Sequence, residues 1–383
     1  TKYVLGSGGD IISYATDEPA FEFNTDGSYK GLLVEPAATN LCLQSEDINT
    51  TWTAGNATPT QSTEETPDGD DTNKYIKLVD DGSTGTGQVL VSQPITVTAS
   101  TKYTASVFLK ADQLSFAALQ ANSYDGGTTG TQYFGLSGAG SKGTASSLDD
   151  SNIEAYPNGW YRCSITWTQG SSPPDTSFNF RIFVADSISN ATVDLDGTSS
   201  IFVWGAQVET GPIATSYIPT TTASVTRNKD DINLTSASSL IGQTEGTLYL
   251  EVDWRLATGT GQELISVSDG TTNNRFIIYN EANNVELRMF AQAGGSNVIN
   301  QGVSSSGFSG IQKIAFAYAD SDFELYRNGS SVDDTTSGSL AALATLTGID
   351  LGQNAQANFQ ANMHIRAVAL FTRRLSDAEA EAL

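Results

Sequence analysis

Short runs of β-favouring residues recur along this chain, and they restrict its fold more than any other feature. Each run is only a few residues long and is bounded by Gly, Asn, Asp, Ser or Thr, the pattern of strands joined by turns. In the first half the runs cover residues 75–79, 88–98, 103–110, 116–121, 132–136, 161–168, 178–185 and 201–208. This spacing predicts an all-β fold built from antiparallel sandwiches.

The second half repeats the pattern. Its predicted strands cover residues 247–256, 263–267, 275–279, 285–291, 313–319 and 323–327. Asn328 and Gly329 follow the last of these and are the residues preferred in a two-residue hairpin turn. Ser376 and Glu379 have the spacing of a capping box, which predicts a short C-terminal helix through Leu383.

Alternation within a run predicts which face of a strand is buried. In residues 160–168 the odd positions are apolar from Tyr161 to Trp167, so Trp160 and Arg162 should share the opposite, mixed face. In residues 201–208 both faces are apolar at the start, which is typical of a central, well-covered strand. Pro219 and the Thr-rich segment after it cannot easily continue a ladder, so a domain should end near residue 222.

A chain of 383 residues is too long for one ordinary core and suits two domains. We predict an extended N-terminal arm over residues 1–30, with a turn at Asp26-Gly27, and a first sandwich over 31–222. A linker over 223–232 and a second sandwich over 233–383 complete the division. The arm has too little apolar surface to fold alone, so it should lie against its own domain or a neighbouring subunit.

The charge balance limits the partners. The formal net charge is −24, from 19 basic and 43 acidic residues, and it repels phosphate backbones and anionic lipid. We therefore expect no nucleic-acid partner, and no apolar run is long enough to predict membrane insertion. Cys42 and Cys163 both lie in apolar runs, where a cysteine packs as a small hydrophobe.

Several segments of the first half resemble a known family. Residues 31–41, 45–47, 158–164, 204–209 and 216–220 look like a jelly-roll module of bacteriophage tail fibres and other virion surface proteins, which resembles the carbohydrate-binding sandwiches appended to glycanases. The match is ordered along residues 13–226. In the second half, residues 246–252, 323–329, 369–371 and 374–379 look like a laminin-G or concanavalin-like sandwich.

The resemblance implies a non-enzymatic virion protein, exposed outside the cell on the particle surface, that binds host polysaccharide. Other virion proteins would be its partners, and by analogy it would form a homo-oligomer, a trimer. An alternative is a capsid or tail decoration protein that cements neighbouring subunits. A second alternative is a secreted bacterial glycan-binding module or a glycan-active enzyme.

Glu251 and Asp253 begin like the strand motif of laminarinase-type glycosidases. Retaining hydrolysis needs two carboxyl groups about 5 Å apart, and the motif supplies its second glutamate two or three residues after the aspartate. Arg255, Leu256 and Ala257 occupy those places here. We therefore predict an outward polar strand face rather than a catalytic pair, and no catalytic residue is assigned.

His364 is the only histidine, so a multi-histidine metal site is excluded, and its apolar surroundings predict a packed side chain. A structural calcium ion is the one cofactor that we consider. Asp194 and Asp196, and the acidic residues within 68–71, offer oxygen ligands, but none has the spacing of a dedicated calcium loop. Solvated turns explain these carboxylates equally well.

Carbohydrate binding needs aromatic faces that stack on sugar rings and nearby polar groups that bond the hydroxyls. The candidates on predicted polar faces or loops are Tyr124, Tyr133, Trp160, Arg162 and Arg181. For Trp160 and Arg162 a structural role is favoured, with the tryptophan anchoring a turn and the arginine paired with a carboxylate.

Overall fold

The computed structural model describes residues 1–171, 175–254, 261–281, 286–304 and 310–383. The chain divides into two compact units. Unit 1 comprises Thr1–Tyr29 and Ala38–Arg227, and unit 2 comprises Lys30–Ala37 and Asn228–Leu383.

Strands dominate both units. In chain order the strands up to the middle of unit 1 are β1 (Lys2–Leu5), β2 (Ile11–Tyr14), β3 (Phe21–Phe23), β4 (Tyr29–Val34), β5 (Ala38–Asn40), β6 (Thr53–Gly55), β7 (Ala57–Ser62), β8 (Lys74–Asp80), β9 (Thr86–Gln88), β10 (Leu90–Thr96), β11 (Lys102–Ala111), β12 (Phe116–Asp125), β13 (Thr128–Gly135), β14 (Ser141–Ser146) and β15 (Asp150–Ala155). They are followed by β16 (Trp160–Thr168), β17 (Ser177–Ala185), β18 (Thr192–Asp194), β19 (Ser200–Thr210), β20 (Val225–Arg227), β21 (Ile232–Leu234), β22 (Glu245–Trp254), β23 (Gln262–Ser268), β24 (Arg275–Asn280), β25 (Glu286–Ala293), β26 (Ser296–Ser304), β27 (Ile311–Ala319), β28 (Asp322–Arg327), β29 (Ser330–Thr335), β30 (Gly348–Leu351) and β31 (Met363–Phe371).

Helical structure is sparse in the described ranges. Short 3-10 turns cover Pro157–Gly159 and Ser238–Leu240, and the helix α1 covers Asp377–Glu381. The predicted capping box is confirmed at α1. The Ser376 side chain accepts from the Glu379 backbone amide, and the Glu379 carboxylate accepts from the Ser376 backbone amide at 3.0 Å and from its hydroxyl at 2.9 Å. Among the residues described, no helix is long and apolar enough to cross a membrane.

Unit 1 is a sandwich of two six-stranded sheets. Sheet A has the order β14-β13-β12-β17-β10-β6, and sheet B has the order β15-β16-β11-β19-β8-β7. Neighbouring strands pair in antiparallel fashion, for example β12 with β17 and β11 with β19. The core between the sheets includes Tyr161, Cys163, Ile165 and Trp167 from β16, which confirms the alternation predicted for that strand.

The N-terminal segment folds onto unit 1 instead of remaining an extended arm. β1 and β2 pair as a hairpin, and Ile11 packs in a cluster with Trp204 and Tyr217 on the outer side of sheet B. The turn predicted at Asp26-Gly27 is present, with the Asn24 amide donating to the Ser28 carbonyl at 2.8 Å. The segment therefore lies against its own chain.

The division into units differs from the predicted boundaries in two places. Residues 30–37 fall in unit 2 rather than in the sandwich predicted over 31–222, because β4 pairs with β31 through Leu33 and His364. The predicted linker over 223–232 is structured as well. Its first part forms β20, which pairs with β5 in unit 1, and its end begins β21 in unit 2.

Unit 2 is also an antiparallel sandwich. Sheet C has the order β21-β30-β23-β24-β25-β26, and sheet D contains β29-β28-β27-β22-β31-β4 in that order. The hairpin turn predicted at Asn328-Gly329 is confirmed, since Arg327 pairs with Ser330 on either side of it. Leu256, the last residue of one predicted strand, and Val285, the first residue of another, lie outside the described residues.

The prediction of an all-β chain with antiparallel sandwiches and a short C-terminal helix is thus confirmed. Among the strands that the sequence runs missed are the short β6, β7, β14, β15 and β18 and the nine-residue β26. The Gly-rich residues 126–127 form the turn between β12 and β13, and residues 136–140 connect β13 to β14.

Candidate functional site

The outer face of sheet C carries a concave site. Alternation places Phe276 and Ile278 of β24 in the core and leaves Arg275, Ile277 and Tyr279 on the outer face. A pocket with a volume of about 350 Å³ lies over these outward side chains. This site, the sheet pocket, is lined by Gly261, Glu263, Arg275, Ile277, Tyr279, Glu281, Phe290 and Phe359.

Glu263 is the buried acid of the sheet pocket. Its residue is only 6% exposed, and burial raises the pKa of Glu263 to about 7, although Arg275 and a hydrogen bond from Asn354 act in the opposite direction. The Asn354 amide donates to Oε1 at 3.4 Å. The other oxygen, Oε2, is buried without a hydrogen-bond partner among the described residues. A buried oxygen of this kind is costly unless something bonds it.

Arg275 lies beside this carboxyl group. Its Nη1 is 3.9 Å from Glu263 Oε1, which is the outer limit of an ion pair. The guanidinium also lies over the ring of Phe290, with 5.2 Å between Cζ and the ring centroid. Its Nε is buried without a partner in the described structure. The arginine is therefore held in place by stacking more than by hydrogen bonds.

Phe359 forms an aromatic wall at the mouth of the sheet pocket. Its side chain is 51% exposed, and its backbone has φ 55°, a left-handed conformation that phenylalanine seldom adopts. The Phe359 carbonyl accepts a hydrogen bond from the Glu263 amide at 2.9 Å. The surrounding turn is closed by the Ala357 amide bonding Asn354 at 2.7 Å. Strain of this type is often found at binding sites.

The rim is fixed by polar contacts. The Tyr279 hydroxyl donates to Asn300 Oδ1 at 3.0 Å, and Arg288 pairs with Glu281 at 2.9 Å. The charge of Glu281 is thus already engaged, whereas Glu263 and Arg275 keep unused hydrogen-bonding capacity. The pocket can offer flat aromatic surfaces, an acceptor or acid and a cation to a polar ligand.

The laminarinase-like segment lies on sheet D. Glu251 is paired with Arg366 at 2.8 Å, and Asp253 stands opposite His364 across the β22–β31 ladder. Arg255, Leu256 and Ala257 lie outside the described residues. His364 is fully buried on β31, as its apolar surroundings predicted.

The predicted glycan-binding side chains are dispersed over unit 1. The prediction that Trp160 is an exposed stacking surface is wrong. Trp160 is fully buried, and its indole donates to the Glu65 carbonyl at 2.8 Å. The N-terminal hairpin and the Tyr217 segment cover that side of sheet B, so its mixed face is not exposed. Tyr124 is half-buried, with its hydroxyl donating to Ser147 at 2.7 Å.

Arg162 also serves the interior of unit 1. Its Nη2 donates to the Thr215 carbonyl at 2.7 Å and to Ser106 Oγ at 3.1 Å, and the guanidinium lies 5.4 Å from the Phe108 ring centroid. The remaining two candidates, Tyr133 and Arg181, are half-buried and share the outer face of sheet A.

The motif residues that carry the resemblance in unit 1 hold backbone segments together. The amide of Asn40, which is fully buried, donates to the Ala206 and Ile218 carbonyls at 3.0 and 2.8 Å. Its oxygen accepts from the amides of Cys42 and Val208 at 3.0 and 3.1 Å. One side chain thereby joins three separate segments.

A second network fixes residues 215–220. Gln207 accepts from the Ile218 amide at 2.8 Å, and Glu209 accepts from the Thr215 amide and hydroxyl at 2.9 and 2.7 Å. Burial raises the pKa of Glu209, while these hydrogen bonds favour its charged form. The motif of residues 204–209 and 216–220 is thus explained by internal bonding.

The two calcium candidates lie in a local turn and on a short strand. Asp196 accepts from the Thr198 amide and hydroxyl at 3.0 and 2.7 Å, and Asp194 lies on β18 with an exposed side chain. Within the described ranges, no group of three or more His, Cys, Asp or Glu side chains is arranged to hold a metal ion.

Sequence reasoning missed Glu263, Arg275 and Phe359. The alternation of Arg275, Ile277 and Tyr279 along one strand face was a usable signal. A second signal was the Asn- and Gln-rich segment of residues 353–362, which is too polar to be a strand and contains a single aromatic residue. Neither signal indicates that the two segments meet.

No protein-family model matches the chain, and no curated protein matches it. Among solved structures, the CBM40 of a Ruminococcus gnavus IT-sialidase is 16% identical, with a TM-score of 0.33, over 40% of this chain and 96% of that chain. The same domain is also known bound to α2,6-sialyllactose.

Two further solved structures are similar at the same low level. The binding domain of botulinum neurotoxin DC in complex with SialylT is 15% identical, with a TM-score of 0.30, over 37% of this chain and 35% of that chain. A heptameric SAP-like pentraxin from Limulus polyphemus is 12% identical, with a TM-score of 0.29, over 37% of this chain and 70% of that chain. The neighbours thus include carbohydrate-binding domains, and likenesses this weak identify no ligand for this chain.

Proposed function

We propose that this chain is a non-enzymatic adhesin that binds host cell-surface glycan through the sheet pocket of unit 2. The observation that carries the proposal is the combination in one pocket of an exposed aromatic ring, Phe359, with a buried carboxyl oxygen of Glu263 that no described group bonds. Sugars present apolar C–H faces and hydroxyl groups together, so they fit an aromatic surface flanked by polar groups.

The size and charge of the pocket agree with this ligand class. A volume of about 350 Å³ lies at the lower end of the range for small-molecule sites, which suits one or two sugar units. Glu263, with a pKa of about 7, is partly protonated at neutral pH and can both accept and donate hydrogen bonds to hydroxyls. Arg275 adds a donor beside it.

The setting that we propose is the surface of a bacteriophage particle, outside the cell, as a tail fibre or a similar host-recognition component. Support comes from the resemblance of residues 31–41, 204–209 and 216–220 to virion surface modules. Other virion proteins and further copies of this chain, as a trimer, are its proposed partners. Light scattering of the purified protein tests the trimer, and a monodisperse monomer would contradict it.

Binding of the labelled protein to extracted surface polysaccharides and intact cells of candidate hosts tests the adhesin. We expect saturable binding that periodate treatment of the glycan abolishes, with and without calcium. Phe359→Ala should weaken binding at least tenfold. Leu240→Ala is the matched control, because Leu240 is also 50% exposed in unit 2 but does not line the pocket.

Saturable binding that F359A leaves unchanged would overturn the assignment to the sheet pocket. If no host surface binds the protein at all, the decoration role is favoured over the adhesin. Labelling the chain in imaged particles would then locate it on the capsid or the tail.

A glycan-active enzyme is the second candidate, and the raised pKa of Glu263 is the observation that favours it. A carboxyl group that is still protonated near neutral pH can act as a general acid. Release of new sugar ends from host polysaccharide, lost in Glu263→Gln and kept in Glu251→Gln, would establish this activity. The absence of released ends while binding persists would support the non-enzymatic role.

A further inference from the structure

The outer face of sheet A contains a continuous row of polar side chains. The antiparallel registers align one residue from each strand across the whole sheet. This row, the polar row, consists of Ser146, Thr131, Gln120, Arg181, Ser92 and Thr53. Arg181 lies near its centre, on β17, and all six side chains are half-buried or exposed.

Arg181 uses only part of its hydrogen-bonding capacity within the polar row. Its Nη1 donates to Gln120 Oε1 at 3.3 Å, and the Gln120 amide nitrogen donates to Thr131 Oγ1 at 3.0 Å. The Nε of Arg181 is buried with no partner in the described structure. No carboxylate among the described residues forms an ion pair with this guanidinium, which therefore keeps unused donors.

The rows on either side are neutral. One consists of Thr129, Asn122, Asn179 and Pro94, and the other consists of Tyr133, Ala118, Phe183 and Leu90. Over these three rows of described residues, Arg181 is the only charged side chain. In a chain with 43 acidic and 19 basic residues, a lone cation surrounded by amides and hydroxyls is unusual.

The row that contains Tyr133 supplies an apolar surface beside the polar row. Tyr133 is half-buried and packs with Phe183 and Ala118, so its ring is fixed beside the polar row. Tyr133 and Arg181 are two strands apart, about 10 Å, and two residues apart along the strands, about 7 Å, so about 12 Å separates their backbones. A disaccharide-sized ligand lying diagonally across the sheet would span this distance. An aromatic ring and a guanidinium at this separation suit a sugar that carries an acidic group.

We propose that the outer face of sheet A binds an anionic polysaccharide, with Arg181 bonding a carboxylate or sulfate and Tyr133 contacting the adjacent sugar ring. Arginine suits this role because its planar group can donate two parallel hydrogen bonds to an oxyanion. The amides and hydroxyls of the polar row would bond the ring hydroxyls. This site belongs to unit 1 and does not rest on the sheet pocket.

Titration of the whole protein with labelled polygalacturonate, dextran sulfate and neutral dextran tests the proposal. We expect one or both anionic polymers to bind more tightly than dextran, and the comparison identifies whether a carboxylate or a sulfate is preferred. Arg181→Gln should lower that affinity at least tenfold, while Arg181→Lys should retain part of it. Leu240→Ala, which lies outside both proposed sites, should leave it unchanged.

Two further variants exclude a general charge effect or a loss of fold. Lys142→Gln removes one positive charge from β14, three strands from β17 in the same sheet, where Lys142 is exposed and donates to the Ser151 carbonyl. It should change the affinity less than threefold. Gln120→Glu places a carboxylate beside Arg181 and should abolish binding while the thermal unfolding midpoint is kept. Equal losses in R181Q and K142Q, full binding by Q120E, or no preference for either anionic polymer would overturn the proposal.

Discussion

Glu263 Oε1 lies 3.9 Å from Arg275 Nη1, while Glu263 Oε2 is buried without a hydrogen-bond partner in the described structure. The arginine is therefore too distant to compensate fully for the burial of the carboxyl group. This explains why the pKa of Glu263 rises to about 7 despite a neighbouring cation.

Glu263→Gln should stabilise the protein at alkaline pH and have little effect in acid. The pKa of Glu263 is about 7 in the folded protein, whereas an ordinary glutamate has a pKa of 4.5, so the folded protein keeps a proton that the unfolded chain loses. The free energy of unfolding therefore falls as pH rises from 4.5 through 7, by up to about 3 kcal/mol. Urea unfolding at pH 4.5 and pH 8 measures the difference between variant and wild type.

Glu281→Gln is the control for this prediction. Glu281 lies on the rim, 40% exposed and paired with Arg288, so its replacement should change stability by less than about 1 kcal/mol at either pH. If E263Q gave the same stability difference at both pH values, the raised pKa would be contradicted.

Phe359→Gly should raise stability while weakening glycan binding. Phe359 has φ 55°, and glycine adopts this conformation without steric cost, so the free energy of unfolding should rise by about 1 kcal/mol. The Phe359 ring is half-exposed, so its removal loses few packing contacts. Thermal unfolding and polysaccharide binding are measured on the same sample. Lower stability in F359G than in F359A would show that the backbone at this position is unstrained.

Asn40→Asp should destabilise unit 1 strongly. The side-chain nitrogen of Asn40 donates to two carbonyl oxygens, and a carboxylate at that position would face both of them without a proton to give. We expect a loss of about 3 kcal/mol or more at neutral pH, diminishing in acid. Urea unfolding detects this loss. Asn152→Asp on the exposed surface of β15 is the matched control and should leave the free energy of unfolding nearly unchanged.

Gly31→Ala should destabilise unit 2. Gly31 has φ 147°, and an added Cβ would lie 2.8 Å from the His364 Cβ and 3.1 Å from the Ile365 carbonyl oxygen. The close approach of β4 to β31 would have to open, at about 2 kcal/mol or more. Gly8→Ala meets nothing within 4 Å and is the control. Hydrogen exchange of β31 amides locates the effect, and unchanged exchange in G31A would refute the pairing.

The features predicted correctly from the sequence are those in which neighbouring residues decide the structure. Alternation in β16, the Asn328-Gly329 turn and the Ser376–Glu379 cap all depend on contacts within a few positions. The buried state of Trp160 was missed because its cover comes from segments remote in sequence. A strand pattern shows which side chains share a face, but it does not show whether another segment covers that face.

The sheet pocket was missed for the same reason. Glu263, Arg275 and Phe290 come from three strands, and Phe359 comes from a turn far along the chain. No local pattern records that these segments meet. By contrast, Tyr133 and Arg181 were chosen on polar faces by alternation alone, and the register places both on the same side of sheet A.

The pairing of β4 with β31 bears on how the protein is made. β4 leaves the ribosome before most of unit 1, whereas β31 is synthesised only after all of unit 1 and most of unit 2. Until then the nascent chain carries an apolar strand, Leu32 to Val34, whose edge for β31 is still open and can pair with other chains. Unit 1 can complete its sheets during synthesis, but unit 2 has to wait. A fragment that starts at Asn228 would lack β4 and leave that edge of β31 open, so the second sandwich should be produced only together with residues 30–37.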